Sequence, residues 1–268
     1  MSKAKPANCF CAATRYGGHS LCGDRVFPGR VFSLTLNRIR ALGQTTTDAI
    51  RLIDTARLPD GGKLLLLQSG DQFSIELDNE ELMGNTDHVS EEALATMTAE
   101  RLPMGDPHVL IGGLGMGFTL GAAIGAWGPG AAIDVAELIP EVVQWAKGPL
   151  AHVFGTKLSD PRVTVRVADV HDVIRGSTDH YDAIMLDVDN GPDGLVQMAN
   201  DRLYGGEGLE SAYLALRPGG ILAVWSADPD IGFYRRLCAA GFVVDEVAVP
   251  AFAGSVHDDH VIWFATRP

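Results

Sequence analysis

Asp187 and Asp189 close a strongly apolar run, Tyr181-Asp-Ala-Ile-Met-Leu-Asp187, and Asn190-Gly-Pro turns the chain directly afterwards. Carboxylates held at a strand end attract a protonated amine and help strip its proton for attack. Two carboxylates so close also suit Mg2+, which would require further oxygen donors. Loop-closing Asx turns account for Asn190 and Asp193. They account less well for Asp187, a costly residue to bury without partners.

A second feature precedes this pair. The run His108-Val-Leu-Ile-Gly-Gly-Leu-Gly-Met-Gly-Phe-Thr-Leu120 leads an apolar strand into Gly112, Gly113, Gly115 and Gly117, then into an apolar helix. Such a turn brings bare backbone close to a ligand or to a neighbouring helix. Glu137 follows at the end of Ala-Ala-Ile-Asp-Val-Ala-Glu, about 20 residues on, the distance at which an acid reaches ribose hydroxyls. Its bland reading is a carboxylate at a helix N-terminus. Asp134, inside the same strand, is the rival acid. Asp169 ends the next strand, where it can accept from a purine amino group while a neighbour such as Val170 packs on the ring. It suits a helix cap equally well. Tyr204 is read either as lining a substrate pocket or as an ordinary packed ring. Gln72 and Glu92, in the acidic N-terminal part, are candidates for holding a cationic substrate.

These residues need a scaffold that brings strand ends together. From 108 onward, strands at 108–112, 131–137, 162–168, 181–187 and 219–226 alternate with helices at about 116–126, 139–148, 170–175, 207–216 and 230–240. A closing pair at 242–250 and 259–266 forms an antiparallel edge. The alternation predicts an α/β fold with a mostly parallel, seven-stranded, Rossmann-like sheet covered on both faces. Its site lies beyond the carboxyl ends of the strands. Between Ile50 and Ile75, turns at Pro59-Asp-Gly-Gly62 and Ser69-Gly-Asp71 separate short antiparallel strands. Ser90 to Arg101 reads as a helix with an early acidic pair. The predicted organisation is an irregular segment at 1–45, a β-ribbon with connecting helix at 46–100, and the Rossmann-like catalytic domain at 101–268.

Composition narrows the function classes. The chain has 268 residues, 46% hydrophobic, with a net charge of −13. That argues against nucleic acid as a partner and for small-molecule chemistry. The uncharged stretch from Val109 to Ile133 mimics a membrane span, but its glycines and Pro129 mark a buried strand, turn and helix. No membrane partner is expected. The N-terminus leads into no apolar signal core, so a cytoplasmic protein is expected. Cys9, Cys11 and Cys22 with His19 lack the usual Cys-x2-Cys ligand spacing, and no metal is expected.

The Gly112-Gly-Leu-Gly-Met-Gly turn, then Glu137, Asp169, Asp187-Val-Asp-Asn-Gly-Pro and the Arg217-Pro-Gly-Gly-Ile-Leu strand together resemble the class I S-adenosylmethionine-dependent methyltransferase fold. Within it, residues 60 to 266 are similar to the polyamine aminopropyltransferase (spermidine synthase) family. The resemblance implies that Gly113 and Gly115 pass under the nucleoside and its tail, that Glu137 binds the ribose and that Asp169 binds the adenine amino group. Asp187 would face the sulfonium. The family's Asp-x-x-Asp-Pro-x-Gly-Pro pattern is altered here. Asn190 stands where its catalytic aspartate falls, and the adjacent Asp189 is expected to orient the amine. The family's Tyr-His-Glu before the helix is replaced by Val89-Ser-Glu-Glu, keeping one acid, Glu91 or Glu92. The implied activity moves an aminopropyl group from decarboxylated S-adenosylmethionine to a small amine, in a homodimer. The alternative is methyl transfer from S-adenosylmethionine to a small amine or amino acid. A nicotinamide oxidoreductase explains the acids at 169 and 187 less well. A non-catalytic binding protein would tolerate replacement of the strand-end acids.

Overall fold

Alternating burial builds the first sheet. In β2 (Lys63–Ser69) Leu64 and Leu66 are buried, and in β3 (Gln72–Leu77) Phe73, Ile75 and Leu77 are, so one face of this hairpin is apolar. Gly70 and Asp71 make the turn, Gly70 at φ 60°, the left-handed conformation favoured in two-residue hairpin loops. β1 (Arg51–Arg57) and β4 (Glu80–Gly84) extend the hairpin on either side into a four-stranded antiparallel sheet. β4 was not expected from the sequence, because Glu80-Glu81 hides its strand character.

The structure is a computed structural model that describes residues 49–58, 61–77, 80–103, 105–188, 202–255 and 259–268. All fall within the unit Thr45–Pro268. The expectations for residues 1–45, including Cys9, Cys11, Cys22 and His19, lie outside the described residues.

α1 (Val89–Arg101) buries Ser90, Leu94, Ala95 and Thr98, a stripe at helical spacing. The second sheet comprises β5 (His108–Gly112), β6 (Ala132–Glu137), β7 (Val163–Val167), β8 (Tyr181–Leu186), β9 (Leu216–Ser226), β10 (Val243–Pro250) and β11 (Asp259–Thr266). Their spatial order is β10-β11-β9-β8-β5-β6-β7. The five strands from β9 to β7 run parallel, while β11 and β10 pair antiparallel. The fold is thus Rossmann-like with a seven-stranded mixed sheet. Helices α2 (Phe118–Ala126), α3 (Pro140–Lys147), α4 (Ala151–Phe154), α5 (Val170–Arg175), α6 (Gly206–Ala215) and α7 (Ile231–Ala239) fill the connections.

One boundary corrects the sequence reading. Residues 216–218 were expected to end a helix and begin a turn, with the strand starting at 219. Instead β9 starts at Leu216, and Gly219 sits at φ 82° within it. Tertiary pairing explains this: Gly219 N–H donates to the Arg267 carbonyl at 2.7 Å, and Arg267 N–H to the Gly220 carbonyl at 2.9 Å.

The period-two pattern of β5 divides the core. Val109 and Ile111 join a cluster with Leu66, Ile75, Leu94 and Leu120, so the small sheet, α1 and α2 share one apolar layer with the large sheet. Leu110 faces the other layer, with Ile174, Leu209 and Phe233 from α5, α6 and α7. Among the described residues no helix is long and apolar enough to cross a membrane.

Candidate active site

The chain runs from β5 outward through β6 and β7, then returns to β8 on the other side of β5. The crevice at the carboxyl ends of β5 and β8 is therefore the topological switch point, where open α/β sheets bind ligands. The glycine turn leaves β5 there, and Asp187 leaves β8.

Each turn glycine answers to a protein neighbour. A Cβ on Gly112 would meet Val170 at 2.9 Å and Leu186 at 3.0 Å, so Val170 (8% exposed) packs across the strand end. A Cβ on Gly113, at φ 90°, would come within 2.2 Å of the Asp187 carbonyl oxygen. Gly115 and Gly117 also have positive φ, and side chains there would strike Met83 of β4 and Phe154 of α4. Met83 thus brings the small sheet over the turn.

Glu137 is 7% exposed, and its carboxylate ties the turn to the next connection. One oxygen accepts from Leu114 N–H at 2.9 Å, the other from Ile139 N–H at 2.8 Å. Burial raises its pKa and these backbone bonds oppose the rise. Asp134, the rival, is held by His108 and Arg166, each at 3.1 Å, lower on the same strand. Asp169 accepts from His171 N–H at 2.9 Å and so caps α5, with Arg202 3.7 Å away.

Asp187 is the most perturbed group of the crevice. Thr119, in the first turn of α2, donates to its Oδ2 at 2.5 Å and stands 3.3 Å from the Glu91 carbonyl oxygen. Burial, then the negative charge of Glu91, push the Asp187 carboxyl up to about 7 against the pull of the Thr119 hydroxyl. Glu91 is also raised, chiefly by burial, while Ser90 Oγ donates to it at 2.7 Å.

Of the two acids considered in α1, Glu91 stands beside Asp187. Glu92 points instead to the cleft between α1 and α2, pairing with His88 at 3.0 Å and lining it with Thr96, Phe118 and Lys157. Gln72 is an exposed residue beside the hairpin turn. Tyr204 is 2% exposed, packed edge-on against Phe233, which is the packed-ring reading of that residue. Asp189 and Asn190 lie outside the described residues. Sequence reasoning missed Thr119 and the partners of Glu91. Among the described residues no three His, Cys, Asp or Glu side chains gather as a metal site.

No protein-family model matches the chain, and no curated protein matches it. Its fold does match solved structures. One is a spermidine synthase in complex with the transition state analogue AdoDATO, at 21% identity and TM-score 0.68, covering 81% of this chain and 74% of that one. Another is spermidine synthase from Thermotoga maritima, at 20% identity and TM-score 0.66, covering 81% and 73% respectively. At these identities the likeness is one of fold.

Proposed function

We propose that the chain is an aminopropyltransferase, moving the aminopropyl group of decarboxylated S-adenosylmethionine to a small amine. The observation that carries this reading is the placement of the Asp187 carboxyl at the switch point, held by Thr119 and beside Glu91. A half-dry crevice with two acids favours cationic ligands, and both a sulfonium donor and an ammonium acceptor are cations. The likeness to spermidine synthases supports the same choice.

The donor would lie along the glycine turn at Gly112, Gly113, Gly115 and Gly117, with Glu137 at the ribose, and Asp169 and Val170 at the adenine. Backbone N–H groups of Leu114 and Ile139 fix the Glu137 carboxylate at the turn, where the ribose would lie. The amine nitrogen forms its bond to the carbon next to sulfur as that C–S bond breaks. The electron pair goes to sulfur, releasing neutral methylthioadenosine. Asp187, with a pKa near working pH, is suited to hold the cation and accept the amine proton. Asp189 and Asn190 are proposed to orient the acceptor. The donor carries its own activation, so no metal is required. The proposal extends to a cytoplasmic homodimer.

Methyl transfer from S-adenosylmethionine is the second reading, favoured by Val89-Ser-Glu-Glu standing where aminopropyltransferases carry Tyr-His-Glu. The two reactions leave different products. Incubation with each donor and a panel of diamines, followed by mass spectrometry, should yield methylthioadenosine and an acceptor enlarged by one aminopropyl group. S-adenosylhomocysteine with a methylated acceptor would replace the first reading by the second.

A further inference from the structure

Behind Glu91 a hydrogen-bonded line leads away from the crevice. Ser90 Oγ lies 2.7 Å from Glu91 Oε2, and His260 Nδ1 lies 2.9 Å from the same Ser90 Oγ. Ser90 is fully buried, so its hydroxyl bridges these two groups within the protein. His260 comes from β11, 170 residues away in sequence, and is half-buried, so solvent reaches part of it. Trp225 of β9 stands edge-on to the imidazole, ring centroids 4.8 Å apart, and fixes its plane. The indole N–H of Trp225 is buried with no acceptor among the described residues.

A serine hydroxyl both donates and accepts, and imidazole carries a proton on either nitrogen. The order carboxyl, hydroxyl, imidazole can therefore pass a proton in either direction by exchanging which bond is covalent. The reaction proposed above needs such a route. An amine entering as ammonium must lose one proton before it attacks, and a carboxyl that keeps this proton cannot serve the next turnover.

Resting on that aminopropyl-transfer reading, we propose that Ser90 and His260 form a proton exit from the crevice. The ammonium gives its proton to the acid pair, Asp187 and the Glu91 beside it, and Glu91 carries it onward. Glu91 gives it to Ser90 Oγ as the Ser90 proton passes to His260 Nδ1, and His260 releases a proton to water. No electron changes hands and the charge is balanced at each step. Asp87 and His88 before α1, Asp187 at the end of β8 and Asp259 beside His260 are the other charged groups bearing on this line. Ser90 and His260 are positioning residues, since neither touches the reacting atoms.

The test measures kcat and KM against pH for the wild type, S90A, S90T and H260A, with and without added imidazole. We expect S90A and H260A to lose about tenfold or more in kcat near neutral pH, the lower end of what a proton-transfer group contributes, with donor KM unchanged. S90T, which keeps the hydroxyl, should retain most turnover. Added imidazole should restore H260A in proportion to its concentration and leave S90A low. A histidine NMR titration provides a readout independent of turnover: E91Q should shift the His260 midpoint downward, and S90A should weaken that dependence. Wild-type kcat in H260A, or a loss that imidazole does not relieve, overturns the relay while leaving the transfer reading standing. A wild type that transfers nothing overturns the transfer reading, and the relay with it.

Discussion

Asp187→Asn should abolish most turnover and yet produce a chain that is more stable at alkaline pH. The loss follows from the proposed role. Asn cannot carry the negative charge that holds a cation, nor accept its proton, so kcat/KM should fall by about 10²-fold or more. The gain follows from the environment. The carboxyl is raised from its ordinary 3.8 to about 7 by burial and by Glu91. A raised carboxyl contributes its stability fully below the unfolded value and loses it as pH climbs through the folded value. Wild-type stability should therefore decline between about pH 4 and pH 7 on account of this group. The cost above that window is on the order of a few kcal/mol. Asn keeps an oxygen that can accept from Thr119 and has nothing to ionise. Melting temperatures of the two proteins should accordingly lie close together near pH 4 and diverge by several degrees by pH 8, the variant higher. A gap that stays constant with pH would refute this account of Asp187.

The second large effect belongs to Gly113. An alanine there places its Cβ 2.2 Å from the Asp187 carbonyl oxygen, while φ 90° lies in a region side chains avoid. The obstacle is main chain, held by Asp187 N–H donating to the Gly112 carbonyl at 3.0 Å, so no rotamer change relieves it. Strain and overpacking each cost about 1–3 kcal/mol, and here they act together. Gly113→Ala should lower the melting temperature by roughly 10 °C, or prevent accumulation of folded protein, given about 2–4 °C per kcal/mol at this size. Gly61→Ala has equally positive φ, at 98°, but nothing within 4 Å of its Cβ. It controls for backbone strain alone and should cost clearly less. Equal melting of the two variants would show that the close approach carries no weight.

These positions were legible to different degrees. The glycine turn and the end of β8 could be read locally, because short apolar runs stop abruptly at glycine or aspartate. Glu91 was legible in principle. It lies on the same helical stripe as the buried Leu94, Ala95 and Thr98, while Glu92 shares its face with the exposed Thr96. Helical phase thus separates the two acids, which motif position alone left open. Thr119 had a fainter signal as a polar residue in the otherwise apolar first turns of α2. His260 had none, since only sheet pairing and the packing of α1 bring it to Ser90. The same limit explains β9, where Arg267, far along the chain, holds Gly219 and Gly220 in the strand. Short-range pattern finds the strand ends that make a site, and long-range packing decides which side chains reach it.

Calorimetric titration of the purified chain with decarboxylated S-adenosylmethionine and, in parallel, with S-adenosylmethionine tests the central claim most directly. Aminopropyl transfer predicts binding of the decarboxylated donor in clear preference. It also predicts proton release near pH 7, as the arriving sulfonium drives Asp187 to its charged form. Preference for the intact donor, or binding of neither, would contradict it.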